Sequence, residues 1–299
     1  EIKSRVSRVS LRQTPMASGV FLTDSQWQQH TSGILADAKA RESASVLNEV
    51  YYLRRALAAT GKPVIGNVEE LTGQPMSAVI WPDSTALTAV ERVELLNWVR
   101  AGGFLIRFAG PNLAGSPEDP LLPVGLRYGQ RAMQGALTWE KPVGLGGMLD
   151  HSPLRGLSVP QDVTVARQVL ASPTPEVFER TWMTLADGTP LITGGRVGSG
   201  TVVLVHTTAG PDWSTFCYSG LYVEMLQRLV SLSAGAADFR AENILSPMML
   251  LDGFGRLEVP DPRSVARPVD PPESLDHDQP ALFRMIDAHR TGPRGTPRS

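Results

Sequence analysis

The residues of this chain with the greatest potential for chemistry are one cysteine and one histidine. Cys217 is the single thiol, which excludes an internal disulfide and a multi-cysteine metal site. It lies among Trp213, Phe216 and Tyr218, a setting typical of a packed thiol rather than a reactive one. His206 ends the β-branched run TVVLVH, where its imidazole either faces a ligand pocket or hydrogen-bonds to the backbone.

Two aspartates could act together with His206. Asp83 follows the run AVIWP, and Asp212 follows the turn after TVVLVH. A histidine beside a carboxylate can activate water, although an aspartate after a strand more commonly forms a turn or begins a helix. The other histidines show no metal-ligand spacing, so we expect neither a metal nor a cofactor. The candidate catalytic residues are therefore His206, Asp83 and Asp212.

The elements that must position these side chains alternate between strand and helix. Helices are predicted from about 46 to 60, from 88 to about 101 and from about 221 to 232. Thr88 and Glu91 form a capping box at the start of the second helix. Its predicted buried stripe is Ala89, Val93, Leu96 and Val99. Strands are predicted over 32–35, 63–68, 78–81, 104–108, 190–193 and 201–206.

This order predicts an α/β fold with a mostly parallel, flavodoxin-like sheet and flanking helices. Residues 113–185 break the rhythm with short runs at 122–128, 136–139 and 163–170, which predict an inserted or adjoining antiparallel β region. Residues 1–29 are expected to end a preceding β-rich region, and 30–235 to form the α/β domain. Residues 236–299 are expected to be a proline-rich linker or tail, because this stretch has few aromatics to bury.

The body of the chain resembles the class I glutamine amidotransferase-like domains. Three stretches carry the resemblance: AVIWPDS at 78–84, ERVELLNWVRAGGFLIRFAGP at 91–111 and GRVGSGTVVLVHTTAGPDWS at 195–214. Other runs, such as NEVYYLRRAL and SGLYVEMLQRLVSLS, resemble a bacterial family of membrane-anchored proteins. That family joins an aerotolerance-regulator-type N-terminus to this domain and then to a C-terminal domain of unknown function.

The resemblance implies that the catalytic centre has degenerated. Amidotransferase chemistry needs a cysteine on a sharp strand-to-helix elbow, with a backbone N–H beside it for the oxyanion. The matching positions hold Ala109, Gly110 and Pro111, which supply neither a thiol nor a hydroxyl. Pro111 also lacks the N–H. A histidine base without its nucleophile cannot transfer an acyl group.

These observations favour a non-catalytic binding or assembly domain of a bacterial cell-envelope protein. One alternative is a hydrolase that uses His206 with Asp83 or Asp212, and another is a carbohydrate- or peptide-binding module. Protein partners in the envelope are expected, with a small molecule or glycan as a further ligand. The net charge of -2 argues against nucleic acid. The resemblance implies a membrane-anchored parent protein, with this region on the periplasmic side.

Overall fold

The computed structural model describes only part of the chain: residues 8–10, 20–22, 31–37, 40–41, 48–58, 61–115, 118–127, 137–234, 244–245, 250–251, 257–258 and 267–268. The chain divides into a larger unit, Glu1–Val9 with Leu22–Ala236, and a smaller one, Ser10–Phe21 with Ala237–Ser299. The smaller unit contains two short two-stranded sheets, β12 (Ile244–Leu245) with β15 (Arg267–Pro268) and β13 (Leu250–Leu251) with β14 (Leu257–Glu258). The predicted division into 1–29, 30–235 and 236–299 stays a prediction.

A nine-stranded mixed sheet is the centre of the larger unit. Its strands are β3 (Ser32–Leu35), β4 (Val64–Gly66), β5 (Ala78–Trp81), β6 (Phe104–Phe108), β7 (Leu137–Met148), β8 (Thr164–Gln168), β9 (Thr181–Leu185), β10 (Pro190–Val197) and β11 (Gly200–Val205). Their order across the sheet is β4-β3-β5-β6-β11-β10-β9-β7-β8. Two further short strands, β1 (Arg8–Ser10) and β2 (Val20–Leu22), lie near the start of the chain.

The sheet changes character halfway across. Strands β4, β3, β5, β6 and β11 run parallel, whereas β10, β9, β7 and β8 continue the sheet by antiparallel pairing. The α/β prediction is confirmed, but the mostly parallel, flavodoxin-like arrangement is not. The physical reason is the connections, since tight turns such as Gly198-Ser199 between β10 and β11 join only antiparallel neighbours.

The segments predicted as an antiparallel insertion extend this same sheet as β7 and β8. The predicted strand over 122–128 is wrong for the residues described there, since Leu126 makes only an isolated bridge to Ala171. Tyr128 lies outside the described residues.

Helices cover both faces of the parallel half. The helices of the larger unit are α1 (Glu49–Leu57), α2 (Val68–Thr72), α3 (Ala89–Arg100), α4 (Pro111–Ala114), α5 (Pro175–Arg180), which lies against β10 in the antiparallel half, and α6 (Gly220–Ala234), with a 3-10 turn over Phe216–Tyr218. Successive strand residues point to opposite faces. Ile80 therefore packs in the core with α1 and α6, whereas Val79 and Trp81 pack in the core with α2 and α3. These are two separate hydrophobic cores, one on each face of the parallel strands.

The third helix shows where periodicity was informative and where it was wrong. The capping box of Thr88 and Glu91 is confirmed. Of the predicted stripe, Val99 is buried, but Val93 is 58% exposed. Besides Val99, the buried residue of this helix is Leu95, which the predicted stripe did not include. The face that packs on the sheet is therefore turned away from Val93 and toward Leu95.

Gly200 provides a test of how closely α3 packs on the sheet. A methyl group at this position would overlap the carbonyl oxygens of both Val99 and Gly103, whereas one at Gly147 would meet no atom within 4 Å. We predict that Gly200→Ala lowers the free energy of unfolding by about 3 kcal/mol or more. Gly147→Ala is the matched control and should change it by less than about 0.5 kcal/mol. Urea denaturation measures both, and equal effects would contradict the close packing.

Candidate functional site

The parallel strands β3, β5, β6 and β11 end at one edge of the sheet, which we call the carboxyl edge. The segments that follow them, at 82–85, 109–113 and 206–218, therefore lie along this edge. Ligands of open α/β sheets bind outside the carboxyl ends of the strands. The side chains predicted to do chemistry, Asp83, His206, Asp212 and Cys217, all belong to these segments.

Asp83 is a buried anchor of the carboxyl edge. Its Oδ2 accepts the backbone N–H of Asn112 at 2.8 Å, and its Oδ1 accepts that of Leu113 at 2.9 Å. The side chain of Asn112 in turn donates to the backbone oxygen of Asp83 at 2.7 Å. Burial raises the pKa of Asp83, and the backbone hydrogen bonds oppose this rise. Its carboxylate thereby fixes the start of α4.

The segment Ala109, Gly110 and Pro111 leads from the end of β6 into α4. Ala109 is fully buried and donates its N–H to Val205. A methyl group on Gly110 would lie 2.5 Å from Oδ2 of Asp83. The space beside the predicted elbow is therefore occupied by the Asp83 carboxylate, which explains why a glycine is needed there.

Glu49 is the residue of this edge that sequence reasoning missed. It lies in the first turn of α1 and is only 5% exposed. Its Oε2 accepts the N–H of Ser84 at 2.9 Å, and its Oε1 accepts that of Ala209 at 2.9 Å. Burial raises the pKa of Glu49, with a smaller contribution from the charge of Asp83. No local signal identifies it, because its partners are 35 and 160 residues away along the chain.

His206 is fully buried and has partners for both ring nitrogens. Nδ1 donates to the carbonyl oxygen of Val169 at 2.7 Å, and Nε2 lies 3.0 Å from Oγ1 of Thr193. Burial lowers the pKa of His206 to about 4, so the imidazole is neutral at pH 7. These contacts bridge β11 to β10 and to the segment after β8.

The structure does not bring the three candidate catalytic residues together through hydrogen bonds. Asp212 is exposed, and within the described ranges no hydrogen bond joins His206 to Asp83 or Asp212. Their catalytic roles stay predictions, without support from these contacts. Cys217 is buried, and burial raises the pKa of its thiol to about 11, as expected of a packed cysteine. In the described part of the chain, no group of three or more acidic, histidine or cysteine side chains could hold a metal ion.

A polar cavity of about 160 Å³ opens at the ends of β5 and β6. Its lining includes Trp81, Asp83, Thr85, Arg92, Arg107 and Asn112. The Arg107 guanidinium lies 4.0 Å from the centre of the Trp81 ring and pairs with Asp119 at 2.9 Å. Sequence reasoning missed this cavity, although an arginine inside the buried run FLIRF is a signal that could have indicated it.

Three tyrosines form a second feature of this edge, which we call the tyrosine platform. Tyr51 and Tyr52 lie on α1 beside Glu49, and Tyr218 ends the 3-10 turn after β11. The rings of Tyr51 and Tyr52 meet edge to face at 5.3 Å, and those of Tyr52 and Tyr218 at 5.6 Å. Tyr218 is 65% exposed. Contact with the Tyr218 side chain, together with burial, raises the pKa of Tyr52 to about 12.

Comparison with known proteins identifies no family. No family model matches the chain, and no curated protein matches it. A cytoplasmic protein from Salmonella typhimurium has a similar structure, with 13% identity, a TM-score of 0.49, and coverage of 68% of this chain and 98% of that one. A cold-adapted β-galactosidase from Rahnella sp. R3 shows 17% identity, a TM-score of 0.47, and coverage of 74% of this chain but 33% of that one. TM-scores below 0.5 establish neither a shared activity nor a shared ligand.

The predicted resemblance to the class I glutamine amidotransferase-like domains, and to the bacterial family of membrane-anchored proteins that contains such a domain, is therefore wrong. No family model supports the assignment, and the two similar solved structures named above are a cytoplasmic protein and a β-galactosidase, not amidotransferases. The motifs that carried the resemblance describe buried strands, a capped helix and a glycine-rich turn, which α/β proteins of many families share. In the part of the chain that the structure describes, no helix is both long and apolar enough to cross a bilayer.

The state of His206 can be tested by its titration. Because its folded-state pKa of about 4 lies below the ordinary value of 6.5, the unfolded chain binds this proton first as the pH falls. The stability that neutral His206 contributes is complete above pH 6.5 and is lost as the pH falls toward 4. We predict that NMR signals of the imidazole stay constant from pH 8 to 5. A midpoint near pH 6.5 would contradict the bridging role.

Proposed function

We propose that this domain binds carbohydrate and that the tyrosine platform is its contact surface. The observation that carries this proposal is the meeting of Tyr51, Tyr52 and Tyr218 at the surface of the carboxyl edge. Aromatic rings offer an apolar face to the C–H groups of a sugar ring, and their hydroxyls can bond to its O–H groups. A tyrosine therefore matches both parts of a sugar surface.

The platform is held rigidly, which favours binding. The Tyr52 ring contacts both other rings at nearly perpendicular angles, 88° to Tyr51 and 82° to Tyr218. Glu49 fixes the first turn of α1 against the loop after β11, so the helix that carries two of the tyrosines is tied to the segment that leads to the third. A surface that is ordered before the ligand arrives loses less conformational entropy on binding.

Carbohydrate explains the platform better than the two other functions considered. A hydrolase would need His206 near a carboxylate, but Val169 and Thr193 hold its ring instead. A protein-assembly surface would be expected to be larger and more apolar than three tyrosines of which only Tyr218 is largely exposed. The expectations of a periplasmic location and of envelope partners remain predictions that the geometry of this site does not address.

Tyr218 provides the test of this proposal. We predict that the chain binds at least one of lactose, cellotetraose, mannotetraose and chitotetraose in isothermal titration calorimetry. Tyr218→Ala should weaken that binding about tenfold, which corresponds to about 1.4 kcal/mol, within the range expected for one aromatic contact. Tyr218→Phe keeps the ring and should stay within about threefold of the wild type.

Phe178 supplies a matched control, since it is 72% exposed but lies on α5 rather than at the platform. Phe178→Ala should leave binding unchanged. The proposal would be overturned if none of the four sugars binds, or if Tyr218→Ala and Phe178→Ala weaken binding equally.

A further inference from the structure

The cavity at the ends of β5 and β6 contains a buried charge that the tyrosine platform does not use. Arg107 is the fourth residue of β6, and its side chain is only 4% exposed. Burying a cation is unfavourable unless hydrogen bonds and opposite charges compensate it. An arginine in an otherwise apolar strand therefore calls for a reason beyond packing.

The contacts of Arg107 account for only part of its hydrogen-bonding capacity. Nη1 lies 2.9 Å from Oδ2 of Asp119 and donates to the Leu121 carbonyl at 3.2 Å. One face of the guanidinium covers the Trp81 ring at 4.0 Å. Both of these polar contacts are made by Nη1, not by Nη2 or Nε. The Arg107 side chain also lines the cavity. The fork of the guanidinium is therefore placed to bind a planar anion.

The lining of the cavity contains two arginines, Arg92 and Arg107, but only one acid, Asp83. Arg92 also pairs with Oδ2 of Asp119, at 3.1 Å, so two cations share a single carboxylate oxygen. Asp83, the acid of the lining, directs both its oxygens to the backbone N–H groups of Asn112 and Leu113. Its charge is thus offset by amide dipoles rather than by the arginines alone.

We propose that this cavity binds a small carboxylate, which Arg107 and Arg92 hold by charge-assisted hydrogen bonds. Its volume of about 160 Å³ exceeds the ~30 Å³ of one liquid water several times, yet it is smaller than the ~300 Å³ at which pockets for drug-sized ligands begin. A carboxylate with a short carbon chain fits this space. The site is independent of the proposed carbohydrate contact, since Trp81 packs on the α3 side of the sheet and the tyrosines lie on or beside α1, on the other side.

Acetate and acetamide provide a matched pair of probes, because they share a shape but differ in charge. The experiment is an NMR titration of the whole chain at pH 7 that follows the indole N–H of Trp81 and the backbone amides of Arg107 and Asn112. We expect saturable shifts of these signals with acetate, and binding of acetamide at least about tenfold weaker. Equal responses to both probes, or no response to acetate at these signals, would overturn the proposal.

Two variants and a control locate the anion. Arg92→Gln and Arg107→Lys should each weaken acetate binding about tenfold. The first variant removes a positive charge, whereas the second retains the charge but loses the planar fork. Arg100→Gln changes an exposed arginine at the end of the same helix as Arg92 and should have no effect. If Arg107→Lys does not fold, the wild-type probe pair and Arg92→Gln still decide the outcome.

Inorganic phosphate forms the last arm of the experiment. A carboxylate site predicts weaker binding of phosphate than of acetate, because the Asp83 carboxylate in the lining repels the more highly charged phosphate more strongly. Tighter binding of phosphate would replace the carboxylate assignment with a phosphate one. Because neither tyrosine nor sugar enters this test, its failure is distinguishable from failure of the proposed carbohydrate binding.

Discussion

Hydrogen bonds from backbone N–H groups to two buried carboxylates hold the carboxyl edge of this sheet together. Glu49 binds the N–H groups of Ser84 and Ala209, and Asp83 binds those of Asn112 and Leu113. Burial raises the pKa of both acids, so each carboxylate is unfavourable by itself and is stabilised by the amides it accepts. Without these bonds, four buried or partly buried N–H groups would lose their acceptors.

Both candidate ligand surfaces depend on this arrangement. The hydrogen bond from Ala209 to Glu49 holds the first turn of α1, which carries Tyr51 and Tyr52, beside the loop that leads to Tyr218. The hydrogen bonds between Asp83 and Asn112 hold Asn112 in the wall of the cavity that Arg107 also lines. One edge of the sheet therefore presents an aromatic surface on one side and a cationic cavity on the other. The strands supply the rigidity, and the two acids fix the loops.

The sequence predicted those parts of the fold that depend on neighbouring residues. The strands AVIW and FLIRF have the predicted bounds, and the capping box of Thr88 and Glu91 is present. The sequence predicted an antiparallel β region within 113–185, but not that it continues the parallel strands as one mixed sheet, because pairing of distant strands such as β7 and β9 leaves no local periodicity. The helix stripe that included Val93 was wrong for a related reason, since packing against a particular sheet selects the buried face.

The site was harder to predict than the fold. His206 and Asp83 were both singled out, but their partners come from other strands and loops, and these partners determine what the side chains do. Glu49 looks like an ordinary acid in the first turn of a helix, which the helix dipole favours anyway. Its contact with Ala209 joins residues that are 160 positions apart. No spacing rule identifies a pair that only the tertiary fold brings together.

Native-state hydrogen exchange in Glu49→Ala and Asp83→Ala tests the role of these carboxylates most directly. In Glu49→Ala we expect the amides of Ser84 and Ala209 to lose about 2 kcal/mol of protection relative to the core, whereas Asn112 and Leu113 keep theirs. Asp83→Ala should give the reciprocal pattern. Unchanged protection at these four amides, or a uniform loss throughout the molecule in both variants, would contradict the account.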